Sequence, residues 1–177
     1  MKKLTNLLLV SSALALNLSA QNVTDYHIGV SSAKVLEKDF TEVNIGYGAN
    51  WYTQSDIYVG LVIEFAYGNV DLENGKSADV FSSNADLKLG YSMFDNNLAL
   101  YAIGSGALQS VDTMSGAGFG YGAGVDYRVI ENVSFSVEYK IYSMTSNYGD
   151  YDYDRISSGI KYTFITPPTK YHKNQAA

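Results

Sequence analysis

The chain has 177 residues, 12 Lys and Arg against 18 Asp and Glu, a formal charge of −6 at pH 7 and no cysteine. A net negative chain repels the phosphate backbone, which argues against nucleic-acid binding, and the lack of thiols excludes disulfides, thiol chemistry and lipoprotein anchoring. Sixteen Tyr and sixteen Gly against two Pro suit a chain of strands, because Tyr favours strands and interfacial belts while Pro interrupts ladders.

Residues 1–20 open with Met1-Lys2-Lys3, continue with an apolar run from Leu7 to Leu18 and reach Ser19-Ala20 before polarity rises at Gln21. That order of charged, apolar and small residues predicts a cleaved secretory signal peptide; a spanning helix would need about 20 apolar residues. Cleavage after Ala20 leaves 157 residues, one domain's worth, with 10 basic and 18 acidic side chains, a balance of −8. No later apolar run is long enough for a spanning helix, so a mature chain that sits in a membrane must cross it as a closed barrel.

Period-two alternation then recurs along the chain, the signature of half-buried strands. Strand one, about residues 25–35, directs Tyr26, Ile28 and Val30 to one face. Strand two, 40–52, puts Val43, Ile45, Tyr47, Ala49 and Trp51 on that face and Glu42, Asn44, Gly46, Gly48 and Asn50 on the other. After a turn at 53–56, strand three shows Ile57, Val59, Leu61, Ile63, Phe65 and Tyr67 outward. A longer polar connection, 68–78, leads to strand four, where Phe81, Ala85, Leu87, Leu89, Tyr91 and Met93 oppose Ser82, Asn84, Asp86, Lys88 and Gly90. Residues 94–97, Phe-Asp-Asn-Asn, form a tight turn by their Asp and Asn content. Strand five, 98–109, has two registers open to it: Leu98, Leu100 and Ala102 compete with Ala99, Tyr101 and Ile103 for the apolar face, and a slip of one residue exchanges them. Strand six, 117–129, sends Phe119, Tyr121, Val125, Tyr127 and Val129 outward and Gly118, Gly120, Gly122, Gly124, Asp126 and Arg128 inward. A turn at 130–132 precedes strand seven, with Val133, Phe135, Val137, Tyr139 and Ile141 against Ser134, Ser136, Glu138 and Lys140. A long Tyr/Asp loop over 145–154 leads into strand eight.

Eight strands of about 11 residues fit the mature chain. The expected architecture is therefore all-β: an eight-stranded antiparallel up-and-down transmembrane β-barrel over 21–164, with short turns after strands two, four and six and longer loops after three, five and seven. The tail, 165–177, is too short to fold. Strand eight, 155–164, places Ile156, Ile160, Tyr162 and Phe164 on one face and Ser157, Gly159, Lys161 and Thr163 on the other.

The order polar, any, Gly, any, any, aromatic, any, aromatic, carried by Ser157, Gly159, Tyr162 and Phe164, resembles the closing-strand signal of bacterial outer-membrane β-barrels, and the architecture resembles the small OmpA/OmpX-type, porin-like outer membrane barrels. The tail is a departure, since members of that family commonly end on the aromatic residue or continue into a periplasmic domain. The resemblance implies location in the outer membrane of a Gram-negative bacterium, both termini in the periplasm, recognition of the closing strand by the barrel-insertion machinery, and contact with outer-membrane lipids and lipopolysaccharide. An extracellular ligand held by the loops fits the same picture.

Glu42, Glu64, Asp86, Lys88, Asp126, Arg128, Glu138, Lys140 and Lys161 share the inward face. Mixed signs predict a salt-bridged plug, because eight strands enclose only enough space for their own side chains; a proton or ion path is the alternative. Alternate carboxylates over 148–154 offer oxygen ligands to a divalent cation but lack the terminal Glu of a twelve-residue loop. No catalytic, cofactor or metal residues are expected. A lipid A-modifying enzyme would need a histidine beside a nucleophile, and the mature histidines are His27 and His172; Ser31, four residues from His27, lies about 13 Å along the strand. The glycines of 116–124 alternate in a strand with no helix after them, unlike a phosphate loop. The expected role is non-enzymatic, structural or surface-interacting, with a small porin, the lipid A enzyme and a soluble lipocalin-like barrel as alternatives; the last would place the apolar face inside.

Pairing strands six and seven about Glu131 sets Tyr127 opposite Phe135, Val125 opposite Val137 and Ala123 opposite Tyr139 outside, with Gly124 facing Glu138 and Gly122 facing Lys140 inside. Glycine weakens a strand by roughly 0.5–1 kcal/mol, so the row is expected to clear space for long side chains, including Glu138, Lys140, Asp86, Lys88 and Lys161.

Overall fold

The computed structural model describes residues 21–53, 55–71 and 77–165. Residues 1–20, where a signal peptide is expected, Gln54, residues 72–76 and residues 166–177, with His172, lie outside the described residues. Eight strands, β1 (Gln21–Val35), β2 (Lys38–Tyr52), β3 (Ile57–Asp71), β4 (Ser77–Met93), β5 (Leu98–Val111), β6 (Met114–Ile130), β7 (Val133–Ser146) and β8 (Gly149–Ile165), pair in sequence order. The ladder closes between β8 and β1 into an antiparallel barrel. Following cross-strand partners from Asp25 through Gly48, Val62, Asp86, Ser105, Gly120, Tyr142 and Tyr153 returns to β1 at Val35, ten residues on. That offset tilts the strands and keeps the interior narrow.

The register expected for β6 and β7 is the register observed, with Tyr127 on Phe135, Val125 on Val137, Ala123 on Tyr139, Gly124 on Glu138 and Gly122 on Lys140; the ladder shifts only between Arg128 and Ile130, next to the turn. Strand five takes the register with Leu100, Ala102 and Leu108 outward and Ala99, Tyr101 and Ile103 buried inward. Its deciding residue is Tyr101, whose hydroxyl finds carboxylate acceptors inside, where a buried polar tip needs them.

The long loops expected over 68–78 and 145–154 are instead mostly ladder. β3 runs on to Asp71 and β4 starts at Ser77, while β7 reaches Ser146 and β8 begins at Gly149. Only Asn147 and Tyr148 turn the chain there, helped by Gly149 at φ 126, and Leu36 and Glu37 make an equally tight turn with φ of 50 and 64. The expected contrast of short turns on one side and long loops on the other is absent among the described residues.

The reason these segments read as loops is that their polarity inverts. Through the middle of the barrel, apolar side chains such as Ile28, Ile45, Ile63, Leu87 and Ile160 are exposed outside while Glu64, Asp86 and Lys140 are buried inside. Toward the end that carries the turns at 36–37, 112–113 and 147–148, the outward positions become Lys34, Asp39, Thr41, Asp71, Asp79, Asp150 and Asp152, and the inward ones Val35, Phe40, Val70, Val80, Met144 and Tyr153. One end therefore has the polarity of a barrel in water, and the middle that of a barrel in lipid. The outward apolar runs, such as Val43 to Trp51, are about 9–11 residues long, the length a tilted strand needs to cross a bilayer. No helix among the described residues is long and apolar enough to do so.

The soluble lipocalin-like alternative needs the opposite arrangement of faces. Trp51, the only tryptophan, lies on the outward side of β2 opposite Val59. Brominated phospholipid is expected to quench its fluorescence in reconstituted vesicles, whereas an unquenched Trp51 would mean that this face meets no lipid.

Candidate functional site

The chemistry-bearing residues of this barrel converge in its interior, and they lie there because strand alternation gives every second residue of eight tilted strands to one narrow space. Glu42, Glu64, Asp86, Lys88, Asp126, Glu138, Lys140 and Lys161 are all buried, as their shared face predicts. Lys140 Nζ lies 2.5 Å from Asp86 Oδ2, 3.1 Å from Glu138 Oε2 and 3.7 Å from Glu64 Oε1. Lys88 pairs with Glu138, and Lys161 Nζ is 2.6 Å from Asp126 Oδ2 and 3.9 Å from Glu138 Oε1.

Arg128 is the exception. It is half-buried at the turn end of β6, next to the register shift, and its guanidinium stands 6.0 Å from the Tyr52 ring instead of joining the carboxylates.

The position that links the network is Arg155, absent from the charges read off the sequence. Its Nη1 lies 3.0 Å from Glu42 Oε1 and its Nη2 bonds Glu64 Oε1. Arg155 shares parity with Ser157 and Lys161, so extending the strand-eight alternation by one step finds it. Asp25, Tyr58, Tyr101 and Tyr153 were also missing from those charges and polar groups, and His27, singled out in the sequence only as a candidate for lipid A chemistry, joins the network as well. His27 Nε2 is 3.0 Å from Glu64 Oε2, and Asp25 accepts from Asn50, whose Oδ1 takes the Tyr58 hydroxyl at 2.7 Å. The Tyr101 hydroxyl donates to Asp126 at 2.7 Å and Glu138 at 2.9 Å, and that of Tyr153 to Glu42 at 2.9 Å. No sequence signal separates an inward tyrosine from one in an interfacial belt except the register of its strand.

Two apolar groups flank this polar layer. Val35, Phe40, Val70, Val80, Val111 and Met144 pack with Tyr142 and Tyr153 at the end that carries the turns at 36–37, 112–113 and 147–148. Tyr58, Ala99, Tyr101 and Ile103, with Tyr52 against them, pack toward the chain termini. Removing charges from water costs several kcal/mol per ion unless each is paired and hydrogen-bonded. Each of the four buried cations Lys88, Lys140, Arg155 and Lys161 pairs with a carboxylate, while Asp25 Oδ1 and Arg155 Nε are left without a hydrogen-bond partner among the described residues.

The alternative readings can be placed on the same geometry. His27 and Ser31 do not meet: His27 is bonded to Glu64, and Ser31 Oγ accepts from Asn44 Nδ2 at 2.8 Å. Asp150, Asp152 and Asp154 sit on the outer side of a paired strand, and no group of three or more His, Asp or Glu among the described residues could hold a metal ion.

The closing-strand residues divide by face. Ser157 is buried inside. Gly159 lies against β1 so tightly that a Cβ there would come within 2.8 Å of the Ile28 carbonyl oxygen. Tyr162 and Phe164 face out, their ring centroids 4.9 Å apart, and Phe164 continues to Tyr26 at 5.4 Å and Tyr26 to Tyr47 at 5.0 Å. The aromatic half of the motif thus staples the seam where the barrel closes.

Comparison with known proteins follows the same lines. A family model described as outer membrane protein beta-barrel domain matches residues 6–164. The crystal structure of Neisserial surface protein A is similar in fold, with a TM-score of 0.55 at 15% identity, covering 81% of this chain and 97% of that one. The attachment invasion locus protein Ail of Yersinia pestis, solved with the heparin analogue sucrose octasulfate, gives a TM-score of 0.56 at 14% identity over 81% of this chain and 99% of that one. None of the curated proteins compared with it matches in sequence.

Proposed function

Because the chain belongs to the outer membrane protein β-barrel domain family, we propose that it serves in the outer membrane of a Gram-negative bacterium as a non-enzymatic, non-conducting barrel with an envelope-structural or surface-interaction role. The observation that carries this reading is the polarity of the wall. Exposed apolar side chains band its middle, a paired charge layer fills the interior behind them, and an apolar cluster closes one end. A channel needs a continuous water path, and the near-complete burial of the inward side chains Tyr142, Tyr153, Arg155 and Lys140 supports the absence of one.

In this account residues 1–20 are the leader, both termini lie in the periplasm, and the turns at 36–37, 112–113 and 147–148, with the polar exterior around them, stand in water outside the cell. Ser157, Gly159, Tyr162 and Phe164 are then presented to the insertion machinery at the periplasmic end. Lipids and lipopolysaccharide cover the apolar band, and any external ligand meets the outer faces of the hairpins, where Asp39, Asp71, Asp79, Asp112, Asp150 and Asp152 are exposed. The distinct partners of His27 and Ser31 support the absence of catalysis.

The test is cell fractionation combined with gel migration of boiled and unboiled samples. The protein is expected in the outer-membrane fraction, with unboiled barrel migrating apart from the heated form. Recovery of folded protein as a soluble periplasmic species would contradict the proposal.

A further inference from the structure

Most strand glycines in this barrel have a neighbour that explains them. A Cβ at Gly116, Gly120 or Gly124 would run into the ring of Tyr151, Tyr142 or Tyr101, and one at Gly46 into His27. Gly104 and Gly106 differ: both lie outward on β5, and a Cβ at either meets nothing within 4 Å. A glycine inside a strand costs stability, and where no internal contact requires it, it marks a place approached closely from outside.

The surroundings give that approach a shape. Two merging troughs of about 630 and 720 Å³ run across this wall, lined by Ile63, Ala85, Gly104, Gly106 and Leu108 and bounded by Phe119. Beside the trough stands a ridge. Phe119 is 83% exposed and Tyr121 68%, more than any other aromatic side chain within a strand. Ridge and trough are direct cross-strand neighbours, Gly106 with Phe119 and Gly104 with Tyr121.

We propose that the β5–β6 wall is a self-complementary interface through which two copies of this chain associate side by side in the membrane, each seating Phe119 in the trough over the other's Gly106. The proposal rests on the membrane placement above and goes beyond it. A two-fold axis along the membrane normal preserves height, so a knob meets a hole on a second copy only when the two lie at the same level, as these do. Fluid acyl chains coat any apolar surface and have no need of a cleared strand, whereas a rigid second barrel does; in lipid, close approach at small residues is what holds protein to protein. The closed ladder leaves no strand edge in the middle of the wall for association by hydrogen bonding, so contact has to be face to face.

The chain has no cysteine, which gives the test a clean background. In native membranes under mild oxidant, Leu108→Cys is expected to yield disulfide-linked dimer about tenfold more than Ile45→Cys, an outward position on β2 across the ring, and adding Gly106→Leu should lower that yield about tenfold by blocking the close approach. Heat-modifiable migration of each variant reports separately that the barrel has folded and inserted. Equal cross-linking at the two positions in folded barrels, as expected if only lipid fills the trough, overturns the proposal, and so does a dimer that survives Gly106→Leu.

Discussion

Replacing Arg155 with methionine is expected to destabilise the barrel by about 3–5 kcal/mol, the cost of removing one member of a buried ion pair and leaving its partner charged and dry. Arg155 is the sole cation in contact with Glu42 among the described residues and one of the groups that hold Glu64. Without it, Glu42 keeps, among the described residues, the Tyr153 hydroxyl at 2.9 and 3.0 Å. The size of the effect therefore comes less from lost attraction than from stranded carboxylates. Adding Glu42→Gln and Glu64→Gln to the Arg155→Met variant should recover a large part of the loss. Urea unfolding in lipid vesicles measures both. A single variant within about 1 kcal/mol of wild type, the range of a solvated surface pair, would mean that water reaches these charges.

Gly122→Leu is expected to prevent folding, while Tyr121→Leu, one residue away on the outer face, should fold and insert. The backbone of β7 closes over Gly122: a Cβ there would collide with the Tyr139 carbonyl oxygen and lie 3.0 Å from the Lys140 Cα. Backbone cannot rotate aside as a side chain can, so the cost exceeds the about 1–3 kcal/mol usual for overpacking. Tyr121 is exposed, and leucine there still presents an apolar side chain to the same surroundings. The yield of heat-modifiable barrel from refolding into vesicles reads both variants. Efficient folding of Gly122→Leu would show that these glycines only ease curvature.

The glycine row also shows what could be read from the sequence and what could not. That residues 116–124 needed a steric reason was legible from their alternation, and the register with β7 followed from requiring every outward pair to be apolar. What fills the cleared space was not. At Gly116, Gly120 and Gly124 it is mainly the rings of Tyr151, Tyr142 and Tyr101, with Glu138 joining at Gly124, where long charged side chains had been expected. An aromatic residue satisfies the lipid face and the packed interior equally well, so composition alone could not assign these tyrosines. Strand five was ambiguous for the same reason, and only the carboxylates facing Tyr101 from β6 and β7 resolve it.

Charges were easier to place, since a lone carboxylate on an otherwise apolar outer face is excluded by its desolvation cost. Eight of the nine charges expected inside belong to the buried layer. Arg128 fails because it sits where the ladder ends, and a long side chain near a mouth has other places to go. The extended hairpins were misread because an Asp at every second position over 150–154 resembles a solvated loop. Tyr151 and Tyr153 between them carry the strand, and only pairing with β7 reveals it.

The central claim, that the interior is filled by its own paired side chains, is tested most directly by electrical recording of the purified wild-type barrel in planar bilayers. No large, stable conductance is expected at any applied voltage that leaves the bilayer intact. A steady, wide-open channel would mean that Glu64, Asp86, Lys140 and Arg155 line water, and the protein would then be a porin.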